Sequence, residues 1–252
     1  MLRGFYTAAS GILQQERTIA VLSNNLVNAN TPGYRASRVV STTFEHEFIT
    51  RIENNNTQQI GKAAPIRLVS DVPVRFDSSS LEESGRPFDV AINGEGFFVV
   101  ESTDESGGRY LTRNGNFDID DEGYLVLRGT GRVMGQNGPI QLPGSNFTVG
   151  PNGTIYDDFT GYEIDTLSLV LPGEDVRLKL TRDGVYTADD IEGLPQMEAP
   201  QVIQGYTERS NIDLTQEYTM VMEAQRAFQA CSTALQIIDR LNQKAAAQIA
   251  SI

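Results

Sequence analysis

Residues 221–249 read VMEAQRAFQACSTALQIIDRLNQKAAAQI, and the architecture of the chain turns on them. Val221, Ala224, Phe228, Cys231, Leu235, Ile238, Asn242, Ala245 and Ile249 recur at alternating steps of three and four, an a/d seam held for about four heptads. Upstream, Asp213 followed by Gln216 offers a capping-box start. The spacing predicts one helix from about Leu214 to Ala250, roughly 55 Å long at about 1.5 Å per residue. The opposite end of the chain carries a second apolar stripe. Phe5, Ile12, Ile19 and Leu26 are spaced by seven, with Ala8, Ala9 and Leu22 between them. That pattern stops at Asn28-Ala29-Asn30-Thr31-Pro32-Gly33, where Pro and Gly end a helix and start a turn. Two readings are open: amphipathic helices packed on the body of a globular domain, or helices that pair with each other and with those of other copies. Their place at the two chain ends, and a seam that outruns the usual globular helix, favour pairing.

Between the helices the period switches to two. Phe88, Val90 and Ile92 alternate with Asp89, Ala91 and Asn93, and Leu167, Leu169 and Leu171 alternate with Ser168 and Val170. Val176, Leu178 and Leu180 alternate with Arg177 and Lys179. Such stripes fit strands with one buried face. Asn93-Gly94, Asn114-Gly115, Asn137-Gly138, Asn152-Gly153 and Asp183-Gly184 are dipeptides that supply the positive φ of tight hairpins. The middle therefore reads as an antiparallel β domain from about Pro87 to Thr187. In residues 35–86, Ile66, Leu68, Val72, Val74 and Phe76 suggest short strands, and Glu53-Asn54-Asn55-Asn56-Thr57-Gln58-Gln59 reads as a polar loop.

Composition narrows the function. The 252 residues hold 33 acidic and 20 basic side chains, a net charge of −13. That balance disfavours a nucleic-acid partner, which needs a basic face. Residues 1–34 carry +1 and residues 206–252 carry −1, so the whole −13 sits in residues 35–205. One cysteine, Cys231, leaves neither an intramolecular disulfide nor a thiolate metal cage, and one histidine, His46, argues against a His-rich metal site. No apolar run of membrane-spanning length is present, and the opening MLRGFYTAASGILQQE lacks the apolar core and cleavage box of a secretory signal.

The candidate catalytic and ligand motifs do not hold together. Gly94-Glu95-Gly96 and Gly129-Thr130-Gly131 each begin a dinucleotide fingerprint, but Val99 and Met134 stand where the third glycine belongs, and neither opens a helix. Hairpin turns explain both. Asp118-Ile119-Asp120-Asp121-Glu122-Gly123 mimics half of a calcium loop, yet Gly129 occupies the position of the bidentate carboxylate, so a solvated acidic turn is the simpler reading. Asp157-Asp158 and Glu82-Glu83 are adjacent carboxylates that a strand would point to opposite faces. Cys231 lies on the apolar seam, as a buried structural thiol would. No catalytic, cofactor-binding or metal residues are assigned.

The segment Ser23-Asn24-Asn25-Leu26-Val27-Asn28-Ala29-Asn30-Thr31-Pro32-Gly33-Tyr34 resembles the N-terminal motif of the bacterial flagellar rod and hook family of axial proteins. Gly205 to Leu214, followed by Met222-Glu223-Ala224-Gln225-Arg226-Ala227-Phe228, resembles its C-terminal block. FDVAINGEGFFVV and YLTRNGNFDIDDEGYLVL are similar to the β-domain motifs of rod proteins of the proximal or distal type. The resemblance runs nearly end to end. It implies a structural subunit with no cofactor, exported through the flagellar type III apparatus without a cleaved signal. Its expected place is the basal body, in the periplasm or across the cell wall. Expected partners are other rod and hook subunits, further copies of itself, the export apparatus and bushing-ring proteins, with no nucleic acid and no membrane insertion. The motif residues carried over are Asn24, Asn25, Asn30, Thr31, Pro32, Gly33 and Tyr34. Phe44 and Phe48, in Phe44-Glu45-His46-Glu47-Phe48, resemble the family's export-gate motif; a helix or strand with two buried aromatics is the other reading.

The expected fold class is α+β, with terminal helices forming a coiled-coil-like domain around a central, mostly antiparallel β domain. The expected boundaries are 1–34 for the N-terminal helix, 35–86 for a connector with some β structure, 87–205 for the β domain and 206–252 for the C-terminal helix. The expected assembly seam is Phe5, Ile12, Ile19, Leu26, Val221, Phe228, Leu235 and Ile238. A second function class is a secreted, oligomeric β module that binds glycan or peptidoglycan through Tyr110, Tyr124, Tyr156 and Tyr162. A cell-wall hydrolase lacks a convincing carboxylate pair.

Overall fold

The computed structural model describes residues 2–44, 47–53, 56–63, 66–71, 79–103, 108–144, 146–173, 176, 178–182, 184–188, 190–191, 193–197 and 200–249. Glu45, His46, Asn54, Asn55, Val72, Val74, Phe76, Arg177 and Asp183 lie outside the described residues. The chain divides into two compact units, Met1–Leu26 with Ser37–Pro73 and Asp213–Ile252, and Val27–Ala36 with Val74–Ile212. The first unit holds nine basic and nine acidic residues; the second holds 11 basic and 24 acidic, so it carries the entire −13. This division differs from the sequence boundaries because Gly33 to Ala36 are buried and bond to the β body through Glu208, Tyr186 and Asn211, whereas Ser37 and Arg38 bond to the helices.

The first unit contains helix α1 (Leu2–Val27) and helix α2 (Leu214–Ile249). Asp213 caps α2: its Oδ1 accepts from the N–H groups of Thr215 at 2.9 Å and Gln216 at 3.2 Å, satisfying two of the orphan donors of the first turn. Strand Val40–Phe44 pairs antiparallel with Ile66–Asp71, and Glu47–Glu53 pairs with Asn56–Ala63. The second pair overturns the polar-loop reading of Glu53–Gln59. Thr57 stands opposite Ile52 and Gln58 opposite Arg51, since a polar side chain does not prevent the backbone from entering a ladder that satisfies its N–H and C=O.

In the second unit every strand pair among the described residues is antiparallel. The main sheet runs Lys179–Arg182, Val185–Thr187, Arg109–Thr112, Phe97–Ser102, Gly131–Val133, Leu125–Leu127 and Asp118–Ile119, with Leu169–Val170 also pairing to Phe97–Ser102. A second sheet joins Phe147–Val149, Thr154–Asp157 and Glu163–Thr166. Val202–Gln204 pairs with Val90–Ile92, and Tyr206–Glu208 pairs with Leu81–Glu83, so the β structure continues past Thr187. The strand Phe97–Ser102 is covered on both faces. Phe98 and Val100 enter a core with Phe117, Leu125 and Ile155, while Phe97 and Val99 pack with Leu111, Met134 and Tyr186 on the other side.

Several patterned positions behave differently from expectation. Asp89 and Ala91, expected to face outward, are both 1 % exposed. Layers cover both sides of this strand, and the Asp89 carboxylate accepts from Asn116 Nδ2 at 3.0 Å. Val170 is buried and Leu171 exposed, the reverse of the expected alternation, because the chain leaves the ladder after Val170. Gly94-Glu95-Gly96 is not a hairpin turn: it links a strand that pairs with Val202–Gln204 to one in the main sheet. Gly129-Thr130-Gly131 does turn a hairpin, between Leu125–Leu127 and Gly131–Val133.

Asn137-Gly138 and Asn152-Gly153 place glycine at φ 134° and 81°, as the dipeptides imply. Gly115 is required for another reason. Its carbonyl accepts from the Val90 N–H at 3.0 Å, and a Cβ there would lie 1.7 Å from the Val90 carbonyl oxygen. Gly115→Ala should therefore lower the unfolding free energy of the β unit by about 1–3 kcal/mol or more. Gly144→Ala, where a Cβ meets nothing within 4 Å, should change it by less than about 0.5 kcal/mol. Urea denaturation of the two variants checks the contrast.

Candidate assembly surface

The contact between the helices uses Cys231 and Ile238 of the expected a/d seam on α2, but on α1 a heptad row one residue before the expected one. A Cβ on Gly11 would lie 3.0 Å from Cys231 Sγ, and one on Gly4 would lie 3.4 Å from Ile238 Cδ1. Moving seven residues forward on α1 moves seven back on α2, so the helices run antiparallel. Thr18 and Ala224 continue the register, lining one groove of about 430 Å³ together with Leu22, Val39 and Met220. Asn25 completes the row on α1, and Glu217 completes it on α2. Ala8, Leu22, Asn25, Ala224 and Glu217 are buried. A glycine in a helix interior costs about 1 kcal/mol relative to alanine; here it admits the Cys231 thiol, which sits half-buried in the seam. Gly4 and Gly11 stand outside the stripe of large apolar side chains, and their heptad spacing is the sequence signal that marks them.

The chain after α1 doubles back along one side of this pair. Asn25 Nδ2 donates to the Ser37 carbonyl at 2.9 Å, and Asn25 Oδ1 accepts from the Ser37 N–H at 3.0 Å. The side-chain amide thus serves both groups of one peptide residue, which a carboxamide alone among side chains of this length can do. Arg38 Nη1 donates to Glu217 Oε2 at 2.9 Å, its second fork reaches Oε1, and Gln14 Nε2 donates to Ser41 Oγ at 3.1 Å. Glu217 is 1 % exposed, so its charge is held out of water by one guanidinium.

The expected seam residues lie on the other side. Each stands one residue on from the α1 row, a turn of about 100°: Phe5, Ile12, Ile19 and Leu26. On α2, Val221, Phe228 and Leu235 stand four residues on from Glu217, Ala224 and Cys231, a turn of about 40°. Because the helices run in opposite directions, both turns lead to the same flank, away from Ser37–Ser41. Phe5 is 39 % exposed and the other six are half-buried. Ile238 belongs instead to the internal row, against Gly4.

The turn motif splits in role. Asn24 and Asn25 close α1, Asn24 exposed and Asn25 buried as described, and Asn30 is exposed on the turn beyond. Thr31 Oγ1 donates to Asn28 Oδ1 at 3.1 Å, Pro32 is half-buried, and Gly33 and Tyr34 are buried in the β unit. The Gly33 N–H donates to the Glu208 carbonyl at 2.7 Å, and a Cβ at Gly33 would lie 2.3 Å from the Arg113 carbonyl carbon. Beneath it the Glu208 carboxylate, 4 % exposed, takes Arg35 on Oε1 and Arg113 Nη1 on Oε2 at 3.3 Å. The Arg35 N–H donates to the Tyr186 hydroxyl at 3.1 Å, and Arg113 lies 5.3 Å above the Phe97 ring. Burial lowers the Arg113 pKa, Glu208 opposes that shift and Arg35 adds to it; burial raises the Tyr186 pKa. This network lies outside the sequence reading: Arg35 and Glu208 are 173 residues apart.

Phe44 ends one strand opposite Ile66 and Phe48 stands in the next opposite Lys62. In the acidic turn, Asp118 pairs with Arg128, Asp120 Oδ1 accepts from the Glu122 and Tyr124 N–H groups, and Arg132 reaches Asp120 and Glu122. The Ile119 N–H and Arg128 hold the Asp118 carboxyl below its usual pKa. Among the described residues no three His, Cys, Asp or Glu side chains converge as a metal site. The four tyrosines do not form one exposed face. Arg132 covers the Tyr124 ring at 3.9 Å and Tyr110 packs on the core, whereas Tyr156 and Tyr162 are exposed beside Phe159 on the hairpin of Thr154–Asp157 and Glu163–Thr166.

Three family models match the chain in order: "Flagella basal body rod protein" over residues 5–35, "Flagellar hook protein FlgE/F/G D1 domain" over 91–157, and "Flagellar basal body rod FlgEFG protein C-terminal" over 203–249. The flagellar hook-basal body complex protein FlhO of Bacillus subtilis is 31% identical, covering 100% of both chains. The flagellar basal-body rod protein FlgG of the same organism is 28% identical over 97% of this chain and 98% of its own. The rod protein FlgF of Caulobacter vibrioides is 25% identical over 100% of both. The chain belongs to the flagellar basal-body rod protein family. The first model covers α1 and the turn motif, and the third covers Glu208 and α2.

Removing Glu208 strands two guanidinium groups in the β unit. Glu208→Ala should cost about 3–5 kcal/mol in urea denaturation, and Glu208→Gln, which keeps an acceptor without the charge, should cost less.

Proposed function

We propose that this protein is a structural subunit of the flagellar basal-body rod, exported by the flagellar type III apparatus and polymerised through its terminal helices into the axial drive shaft. One observation carries the reading: two apolar heptad rows, Phe5-Ile12-Ile19-Leu26 and Val221-Phe228-Leu235, share one flank of the helix pair and are left partly in water. An amphipathic surface of that length on a chain of a rod family is what subunit packing needs. Each such side chain contributes roughly 1.5–3 kcal/mol when fully buried, so a repeated contact makes a stiff shaft from weak pairs. The charge distribution supports the same reading. The helical unit is neutral and can crowd against copies of itself, while the β unit carries the −13 that keeps an outward surface hydrated.

In this reading α1 and α2 act as an antiparallel coiled coil, and the partners are further copies, other rod and hook subunits, the export apparatus at Phe44 and Phe48, and bushing-ring proteins around the acidic surface. The site is the basal body, where the shaft crosses the periplasm and cell wall. The relatives are named for the rod and the hook-basal body complex, and the role proposed is mechanical rather than catalytic. A glycan-binding module would rest on Tyr156, Phe159 and Tyr162 alone, since Tyr124 is covered.

Phe228→Asp and Leu235→Asp test the packing. Either should leave the urea transition of the β unit unchanged and abolish incorporation into basal bodies, scored by immunoblot of purified basal bodies and by swimming in soft agar. Normal motility with either variant would overturn the packing claim.

A further inference from the structure

Asn-Gly is a reactive pair as well as a turn. With no Cβ on the following residue, the glycine amide nitrogen can reach the asparagine side-chain carbonyl carbon, and asparagine is a thermolabile residue for this reason. The chain holds four such pairs, at Asn93, Asn114, Asn137 and Asn152. By sequence they are alike, and their surroundings separate them.

At three of the four the structure opposes attack. The Gly153 N–H donates to the Gly150 carbonyl at 2.9 Å, and Gly153 is buried beside Leu167, Leu169 and Val202. Gly115 is buried against the Val90 carbonyl oxygen, and Asn114 Oδ1 accepts from the Asn116 N–H at 3.0 Å. Asn137 is exposed, yet its Nδ2 donates to Asp165 Oδ1 at 3.0 Å and its N–H to Oδ2 at 3.3 Å. Its carboxamide must leave that carboxylate before it reacts. The product would then set a second negative charge against Asp165, which is buried.

Asn93 differs on each count. Asn93, Gly94 and Glu95 are exposed, the Gly94 N–H has no acceptor among the described residues, and a Cβ on Gly94 would meet nothing within 4 Å. Among the described residues the Asn93 side chain makes one hydrogen bond, from Nδ2 to Gln201 Oε1 at 3.3 Å. We propose that Asn93 is a site of spontaneous deamidation, set apart from the other three Asn-Gly pairs by the fold. The fold accommodates the product too: the Gln201 carboxamide, reversed, donates its N–H to the new carboxylate.

The reaction needs only water. The Gly94 nitrogen gives up its proton to solvent and bonds to Asn93 Cγ, the Cγ–Nδ2 bond breaks, and Nδ2 leaves as ammonia. The five-membered succinimide then adds water at one of its two carbonyls. Opening at Cγ gives aspartate; opening at the backbone carbonyl gives a β-aspartyl linkage, with one more methylene in the main chain. Nothing is oxidised or reduced. Asn93 follows strand Val90–Ile92, and its N–H donates to the Gln201 carbonyl at 2.8 Å, next to the pairing with Val202–Gln204. Conversion therefore loosens one end of that pair in the β-aspartyl form and adds a negative charge to the unit that already carries −13. The inference is independent of the assembly reading above.

The test incubates the purified full chain at neutral and mildly alkaline pH, native and in urea, and maps its peptides by mass spectrometry, with an isoaspartyl methyltransferase to report β-aspartyl linkages. In the native chain Asn93 should convert at least about tenfold faster than Asn114, Asn137 or Asn152, since each of those must first break a hydrogen bond or leave a buried setting. The rate should rise with pH, because the attacking nitrogen must lose its proton. In urea the four rates should approach one another. Another pair reacting as fast as Asn93 in the native chain, or the native ranking persisting in urea, overturns the proposal. Asn93→Asp should leave the urea midpoint of the β unit unchanged, while Asn137→Asp lowers it; a lowered midpoint for Asn93→Asp overturns the accommodation of the product.

Discussion

Each unit of this protein depends on a buried carboxylate from the end of the chain that holds an arginine from its beginning. In the β unit Glu208 takes Arg35 and Arg113; in the helical unit Glu217 takes both forks of Arg38. A charge removed from water is costly unless it is paired with good geometry, and breaking one partner leaves the other uncompensated. These pairs therefore contribute less to net stability than to uniqueness. Each pair fixes a register inside its own unit, Arg35 and Arg113 against Glu208 in one and Arg38 against Glu217 in the other, where hydrophobic packing alone is less directional.

The two units answer different demands. The β unit is built around a central strand, Phe97–Ser102, whose Phe97 to Val100 are buried on both faces. The helical unit carries more of its apolar side chains at the surface. Its two helices meet at Gly4 and Gly11, which admit Ile238 and the Cys231 thiol. Phe5, Ile12, Ile19, Leu26, Val221, Phe228 and Leu235 stand on the flank, partly in water. A monomer built for its own stability would place Phe228 and Leu235 between its helices. With Gly11 and Cys231 there, Phe228 and Leu235 stand half-buried on the flank.

Periodicity made much of this legible. The heptads of residues 221–249 and 5–26 located both helices nearly to the residue, the capping aspartate included, and period-two stripes with Asn-Gly dipeptides located an antiparallel β body. Spacing says which residues of one element share a face. It does not say which face meets which neighbour, and so the rows on α1 were assigned one residue away from the contact that forms. The same gap explains Asp89 and Ala91, whose outward face is covered by a second layer, and Gly115, held to glycine by the Val90 carbonyl it approaches rather than by a turn.

The sequence by itself determined where the two helices run, the antiparallel β character of the middle, the class of fold, the neutral ends and acidic middle, and the family motifs from Asn24 to Tyr34. Those properties are local, written in the identity of neighbours a few residues apart. Only the tertiary structure decided that Gly4 and Gly11 form the seam, that Asn25 serves the Ser37 peptide, and that Glu208 unites Arg35 with Arg113. Each of these joins groups that are far apart in the chain, and their energies arise from burial and desolvation, which exist only once the chain has folded.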